Sequence, residues 1–304
     1  MRIAGVSMTY NDGYKLKEWI SHYQIYKEQL EIFVIVDNGS DESYKKELKE
    51  SFPEAIIIER ATNGGCTAAY NDGIRYVLEN TDIEAIAIIG NDIKTTPGCL
   101  PAMYNYLYSE KELGIVSAAI LYKDSSIIDN YGHVVQGFKV TNCNIGEDIS
   151  SLKELKKHTD LVSGGFTMAK REFYLNTGLQ DEALFMYCDE LDTMLKAKAH
   201  NYNMGVIGNE YVWHWHINQS TINKRSSASR YLISRNRIYL AKKNKLYFEV
   251  LRNTIVGLIK CPIAFYFRYF RERDAGYLTD AKYSIIGVFH GLIGEMYTNK
   301  YTKF

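Results

Sequence analysis

Five short stretches of this chain carry residue types able to do chemistry. The apolar run ending Ile88-Ile89-Gly90-Asn91-Asp92 stops on a carboxylate. An Asp at the carboxyl end of a buried strand stands where open α/β sheets bind ligands. It can hold a divalent cation that neutralises phosphate; the plainer role is a cap for a helix beginning near Pro97. Upstream, NGGCTAAYNDGI (residues 63–74) offers a Gly64-Gly65 turn that lets backbone approach phosphate, with Asn71 on the helix that follows. Asp37 closes another apolar run in VDNGSDE, where it can accept from a base or ribose, although Asn38-Gly39 is equally a turn signal. Cys188-Asp189-Glu190-Leu191-Asp192 sets three acids within four residues. Such a group can take a proton, or simply favour a helix N-terminus through the macrodipole. Last, VWHWH (residues 212–216) spaces His214 and His216 so that both rings share one side of an extended segment, with Trp213 and Trp215 turned toward the core.

The elements that must position these groups alternate. RIAGVSMTY, EIFVIVD, AIIIER and EAIAIIG are continuous apolar or β-branched runs, and between them DGYKLKEWISHYQIYKEQ, SYKKELKESF and the segment after Gly65 show helical spacing. That order predicts a mostly parallel sheet covered by helices on both faces. The strand GIVSAAILY, LVSGGFTMAK, a helix near KREFYLNTG and a carboxylate-rich helix start at 187–198 follow. No GxGxxG with its acidic partner and no GxxxxGK[ST] loop is present, which disfavours a dinucleotide dehydrogenase and a P-loop nucleotidase. The N-terminus does not read as a signal peptide, and no run of about 18 uninterrupted apolar residues predicts a spanning helix. Cys66, Cys99, Cys143, Cys188 and Cys261 form no CxxC pair and read as reduced cytosolic thiols.

Charge divides the chain in two. Residues 222–304 hold 16 Lys/Arg against 5 Asp/Glu, a net of +11, which leaves 20 against 31, a net of −11, for residues 1–221. The expected organisation is a catalytic domain over 1–221 and a basic, amphipathic helical region over 222–304. That region is expected to face anionic lipid headgroups or a second subunit. Arg235 and Arg237 on it could steady phosphate or lie solvated on a helix surface.

Taken in order, VSMTYND, VDNGSDE, NGGCTAAYNDGI, IIGND, GGF and MYCDELD resemble the family-two glycosyltransferases of the GT-A fold, over about residues 1–216. RYLISRNRIYL (230–240) is similar to the segment after the catalytic domain in rhamnosyltransferase-like members. The resemblance implies a GT-A fold with a C-terminal helical extension. By its motifs Tyr10 and Asp37 line the nucleobase pocket, Asn63 and Asn71 order the nucleotide-side loop, and Asn91 lies beside them. Asp92 matches the last acid of the DxD-like motif, with Gly90 where many relatives have Asp or Asn, and one carboxylate suits a weakly held Mg2+ or Mn2+. His214 or His216 fills the metal- or diphosphate-contacting position. Glu190 stands at the catalytic base position with Asp189 as the runner-up, and Asp192 and Gly165 orient the acceptor.

The expected activity is inverting sugar transfer from a UDP- or dTDP-sugar to a hydroxyl of a lipid-linked oligosaccharide in capsule, O-antigen or cell-wall polysaccharide synthesis. The expected place is cytoplasmic, peripheral at the inner face of the cell membrane. A homodimer is possible on this reading, and nucleic acid is not an expected partner. The alternatives are a nucleotidyltransferase making nucleotide-sugars and a non-catalytic sugar- or membrane-binding scaffold.

Overall fold

A computed structural model describes residues 1–215, 227–297 and 301. The trace divides into two compact units, Met1–Glu182 with Thr193–Gln219, and Ala183–Asp192 with Ser220–Phe304.

In the first unit the alternating runs become β1 (Ile3–Thr9), α1 (Gly13–Tyr26), β2 (Ile32–Asp37), α2 (Glu42–Ser51), β3 (Ile56–Glu59), α3 (Gly65–Asn80) and β4 (Ala85–Ile89). Helical crossovers make neighbouring strands parallel, and β1 pairs in parallel with both β2 and β4. All five residues of β4 are buried, as a strand covered on both faces requires. After β5 (Ile93–Thr95) and α4 (Cys99–Leu107) come β6 (Leu113–Tyr122) and β7 (Ile128–Asn130). The small hairpin β8 (His133–Gln136) and β9 (Lys139–Asn142) precedes β10 (Lys156–Thr159), β11 (Phe166–Lys170), α5 (Arg171–Thr177), α6 (Asp189–Ala199) and β12 (Asn203–His214). The main path runs β10-β12-β6-β11-β4-β1-β2-β3, with β5 on β12 and β7 on β6.

The sheet is parallel from β3 to β4 and mixed beyond it. LVSGGFTMAK supplies β11, which runs antiparallel to both β4 and β6. An apolar strand reads the same in either direction, so its composition carried no sign of the reversal. Beneath the sheet, Trp19, Tyr23, Tyr26, Phe33 and Phe52 close an aromatic core, with Trp19 and Phe52 centroids 4.6 Å apart.

The second unit holds α7 (Ser227–Lys243), α8 (Tyr247–Ile255), a π-helical turn (Val256–Lys260), α9 (Cys261–Glu272) and α10 (Gly276–Ile293). Helices α7 and α10 approach closely at Gly287, where a Cβ would lie 2.4 Å from the Tyr231 carbonyl oxygen. Ser227 Oγ donates to Asp280 Oδ1 at 2.7 Å. Helices α8 and α9 join through the π-turn into one run, Tyr247–Glu272, which by length and composition is apolar enough to cross a membrane. A search for an uninterrupted apolar run misses it, because Glu249, Arg252, Asn253 and Lys260 interrupt its sequence.

A cut at residue 221 differs from these units in one respect. Ala183–Asp192, the acid-bearing segment, groups with the C-terminal helices.

Candidate functional site

The Asp92 turn is built by two pairings. Gly90 N donates to the Gly165 carbonyl at 2.9 Å, which ties the end of β4 to the GGF segment. A Cβ on Gly90 would stand 3.1 Å from that carbonyl and 3.2 Å from Asp92 Oδ1, so the turn is fitted to glycine. A Cβ on Gly165 would meet nothing within 4 Å, so space opens beside it. Strand β5 then pairs antiparallel with the end of β12, setting His214 opposite Ile93. This register brings His214 Nε2 to 3.3 Å from Asp92 Oδ2. Trp215 N donates to the Asp92 carbonyl at 2.8 Å.

From α1, Lys15 Nζ reaches 3.6 Å from Asp92 Oδ2 and 3.4 Å from Asp12 Oδ1. Asp12 Oδ2 accepts from Asn91 Nδ2 at 2.8 Å. Burial opposes the Lys15 charge, and the Asp92 and Asp12 carboxylates outweigh it, so the pKa stands above the ordinary lysine value.

The donor set at this turn is sparse. No group of three or more His, Cys, Asp or Glu residues able to hold a metal occurs among the described residues. Asp92 Oδ2 and His214 Nε2, 3.3 Å apart, are the two groups at this turn that would hold such an ion. Through one carboxylate oxygen and one imidazole nitrogen they would hold Mn2+ or Mg2+, and the ion would supply positive charge to phosphate oxygens. His216 lies outside the described residues.

The nucleotide-side residues follow from the β1–β2 register. Thr9 pairs with Asp37, so Tyr10, 43% exposed, projects at the strand ends beside it. Asp37 is fully buried; its Oδ2 accepts from Ser40 N at 3.2 Å, and its Oδ1 has no partner among the described residues. A buried carboxylate oxygen without a donor is costly, and a base or ribose N–H or O–H would satisfy it. Asn38 stitches this strand end to the glycine turn. Its Nδ2 donates to Asn63 Oδ1 at 3.0 Å and to the Gly65 carbonyl at 3.1 Å, and its Oδ1 accepts from Gly64 N at 3.1 Å. Asn63 Oδ1 also accepts from Gly65 N at 2.9 Å.

Asn71 does something else. Its Nδ2 donates to the Gln180 carbonyl at 2.8 Å and to Glu182 Oε1 at 3.0 Å, while its Oδ1 accepts from Gln180 N at 3.1 Å. It therefore orders residues 180–182 and not the nucleotide-side turn. Helical position alone does not reveal which loop a side chain reaches.

In the second unit the backbone enters α6 through three left-handed residues, Phe185, Tyr187 and Cys188, with φ of 65°, 67° and 65°. The fully buried Arg235 holds this segment. Its Nη2 donates to the Leu184 and Ala183 carbonyls at 2.9 and 3.2 Å, and its Nη1 to the Met296 carbonyl at 2.7 Å. Arg235 is thus neither solvated nor free for phosphate. Asp189 and Asp192 are buried and Glu190 is half-buried. Burial first, then the Glu190 charge, pushes the Asp189 pKa well above the ordinary value. Asp192 is withdrawn from solvent inside the helix start, which leaves Glu190 as the accessible acid of the three.

Trp213 and Trp215 are half-buried, and Trp213 Nε1 donates to the Ser125 carbonyl at 3.0 Å. Lys94 and Lys123 stand 4.7 and 4.6 Å from the Trp215 ring. Sequence reasoning missed Lys15, Asp12 and the stitching role of Asn38. YND and DNG were the available signals, each read for one residue only.

Residues 8–177 match the profile described as Glycosyl transferase family 2. The low-salt glycan biosynthesis hexosyltransferase Agl10 of Haloferax volcanii is 23% identical over 268 residues, covering 86% of this chain and 82% of that protein. The mannosyltransferase PcManGT of Pyrobaculum calidifontis, solved with GDP-Man and Mn2+, superposes with a TM-score of 0.58 at 13% identity over 97% of this chain and 88% of its own. S. aureus TarS with UDP-GlcNAc gives 0.54 at 14%, over 97% and 92%. GalNAc-T7 with UDP, GalNAc and Mn2+ gives 0.60 at 10% over 80% of this chain, which spans 48% of that one. At these identities the structural likeness is one of fold, and the fold is GT-A.

Proposed function

Because this chain belongs to glycosyltransferase family two, we propose that it transfers a hexosyl or rhamnosyl group, with inversion, from a UDP- or dTDP-sugar to a hydroxyl of a lipid-linked glycan. The observation that carries this reading is the strand-end Asp92 with His214 Nε2 at 3.3 Å and Lys15 Nζ at 3.6 Å, a compact charged turn suited to a sugar diphosphate. Asp37 accepts from the nucleoside through its unpartnered Oδ1, with Tyr10 beside it. A Mg2+ or Mn2+ held by Asp92 and His214 supplies positive charge to the diphosphate.

Glu190 takes the proton of the acceptor hydroxyl as that oxygen forms a bond to the anomeric carbon. The carbon–oxygen bond to the diphosphate breaks, and its electron pair leaves with the nucleoside diphosphate. The half-buried Glu190 supports this assignment over Asp189, which is buried and whose pKa burial and the Glu190 charge push well above the ordinary value. The acceptor would come from capsule, O-antigen or cell-wall polysaccharide synthesis at the inner face of the membrane. A screen of UDP-, dTDP- and GDP-sugars for Mn2+-dependent release of nucleoside diphosphate tests the reading. Release from one donor, abolished by EDTA, is the expected result, and no release from any donor overturns it.

A further inference from the structure

We propose that Lys15 binds the donor diphosphate, and that it holds the leaving nucleoside diphosphate more strongly than the intact donor. This rests on the donor reading above. Lys15 lies in the first turn of α1, a turn with no acidic residue. A cation there opposes the helix macrodipole, so helix stability does not account for it. Its side chain is 13% exposed, and desolvating an ammonium is costly without compensation. Its two carboxylate neighbours provide that compensation at 3.4 and 3.6 Å, longer than the roughly 2.7–2.9 Å of a tight charge-assisted hydrogen bond. The ammonium is therefore shared between Asp12 and Asp92 and closed on neither. Asp12 is itself fixed by Asn91, so one anchor of this arrangement stays put while donors on Nζ turn elsewhere.

The charge balance gives this ammonium its task. Each phosphate of the donor carries a negative charge, and breaking the sugar–oxygen bond leaves one more on the departing β-phosphate. A divalent ion beside the Asp92 carboxylate would meet only part of that charge, and an ammonium at the same turn would meet more of it. With Asp92 and His214 read as the metal's ligands, Lys15 is a protein cation at the same turn, its Nζ 3.6 Å from Asp92 Oδ2. An ammonium already desolvated and aimed at the turn stabilises the developing charge with little reorganisation.

The test is calorimetry on full-length wild type, Lys15→Met and Lys15→Arg, titrating UDP, dTDP, GDP and the corresponding nucleosides, in EDTA and with Mn2+. For the nucleoside diphosphate that wild type binds, Lys15→Met should weaken affinity at least tenfold in both conditions, with the nucleoside unchanged and the Arg variant largely restored. The matching nucleotide-sugar should lose less. Lys15→Gln replaces the Met variant if that does not fold. Wild-type diphosphate affinity in the Met or Gln variant, in both conditions, overturns the proposal and makes Lys15 a structural counter-ion of Asp92. Failure of wild type to bind any nucleoside diphosphate even with Mn2+ overturns the donor reading itself.

Discussion

The Tyr187 carbonyl accepts a 2.8 Å hydrogen bond from Asn236 Nδ2, so a helix 49 residues further along the chain fixes the backbone immediately before the acid-bearing helix. The same amide nitrogen also lies 2.9 Å from both the Leu184 and Met186 carbonyls. Left-handed conformations at three non-glycine residues persist only where the surroundings over-determine them, and Arg235 with Asn236 supply that constraint.

Asn236→Leu keeps the volume and removes the amide donor that the Leu184, Met186 and Tyr187 carbonyls accept from. It should destabilise the protein by about 2–4 kcal/mol, measured by urea unfolding. In the fraction that remains folded, kcat should fall while donor affinity stays near wild type. A variant with unchanged unfolding midpoint and kcat would remove the segment-holding role from Asn236.

Asp92→Asn should preserve the fold and lose Mn2+-dependent donor binding, because it removes the carboxylate that would hold the proposed ion. His214→Ala should weaken Mn2+ about tenfold or more without abolishing nucleoside binding, since Asp37 and Tyr10 belong to the other strand ends. Calorimetry with and without Mn2+ separates the two effects. Unchanged Mn2+ dependence in Asp92→Asn contradicts the assignment.

Glu190→Gln should lower turnover by roughly a hundredfold or more, the scale of a lost general base, with donor affinity near normal. Asp189→Asn should remain active, because the amide resembles the protonated carboxyl already favoured there. The opposite pattern, an active Glu190→Gln and a dead Asp189→Asn, moves the base by one residue.

Asp189 also sets a pH dependence of stability. Burial, then the Glu190 charge, raises its folded-state pKa, so the folded protein binds this proton more tightly than the unfolded chain does. The contribution is fully present below the ordinary Asp value of about 4 and is lost as pH rises through the folded-state value, at up to about 1.4 kcal/mol per pH unit. Thermal melts of wild type should fall relative to Asp189→Asn as pH climbs above about 4, leaving the variant the more stable at neutral pH. Parallel melting curves across that range would mean that Asp189 is ionised in the fold.

The parts of this site legible in the sequence are those set by a strand and its stop. Asp37 and Asp92 each end a β-branched run, and local pattern suffices to put them at the carboxyl edge of the sheet. What escaped depends on pairing across long separations. The β5–β12 register that delivers His214 joins residues more than a hundred positions apart. Arg235 looked like a surface cation because charge predicts exposure, yet backbone carbonyls, the Asn236 amide oxygen and the Tyr231 ring hold it in a buried place. Asn71 shows the same limit: its partners at 180–182 come from a distant loop.

The α8–α9 face carries a testable surface property. Phe248, Leu251, Ile255, Ile259, Ile263, Phe267 and Phe270 recur at steps of three or four residues and are all exposed, Phe248 at 76% and Phe267 at 73%. That spacing makes one stripe along a helix, and Arg252, Lys260, Arg268 and Arg271 lie in the same run, with Arg273 just after it. A stripe of large apolar side chains bordered by cations fits the headgroup region of an anionic bilayer, where each basic residue adds about 1 kcal/mol of attraction. Full-length protein should therefore co-sediment with vesicles containing phosphatidylserine, less so in high salt and weakly with neutral vesicles. Replacing Phe248, Ile259 and Phe267 by Ser should abolish that binding with little change in the melting temperature, since these side chains are already in solvent. If the stripe is instead an interface between two copies, the protein will sediment as a dimer that ignores the vesicles, and the triple variant will be monomeric.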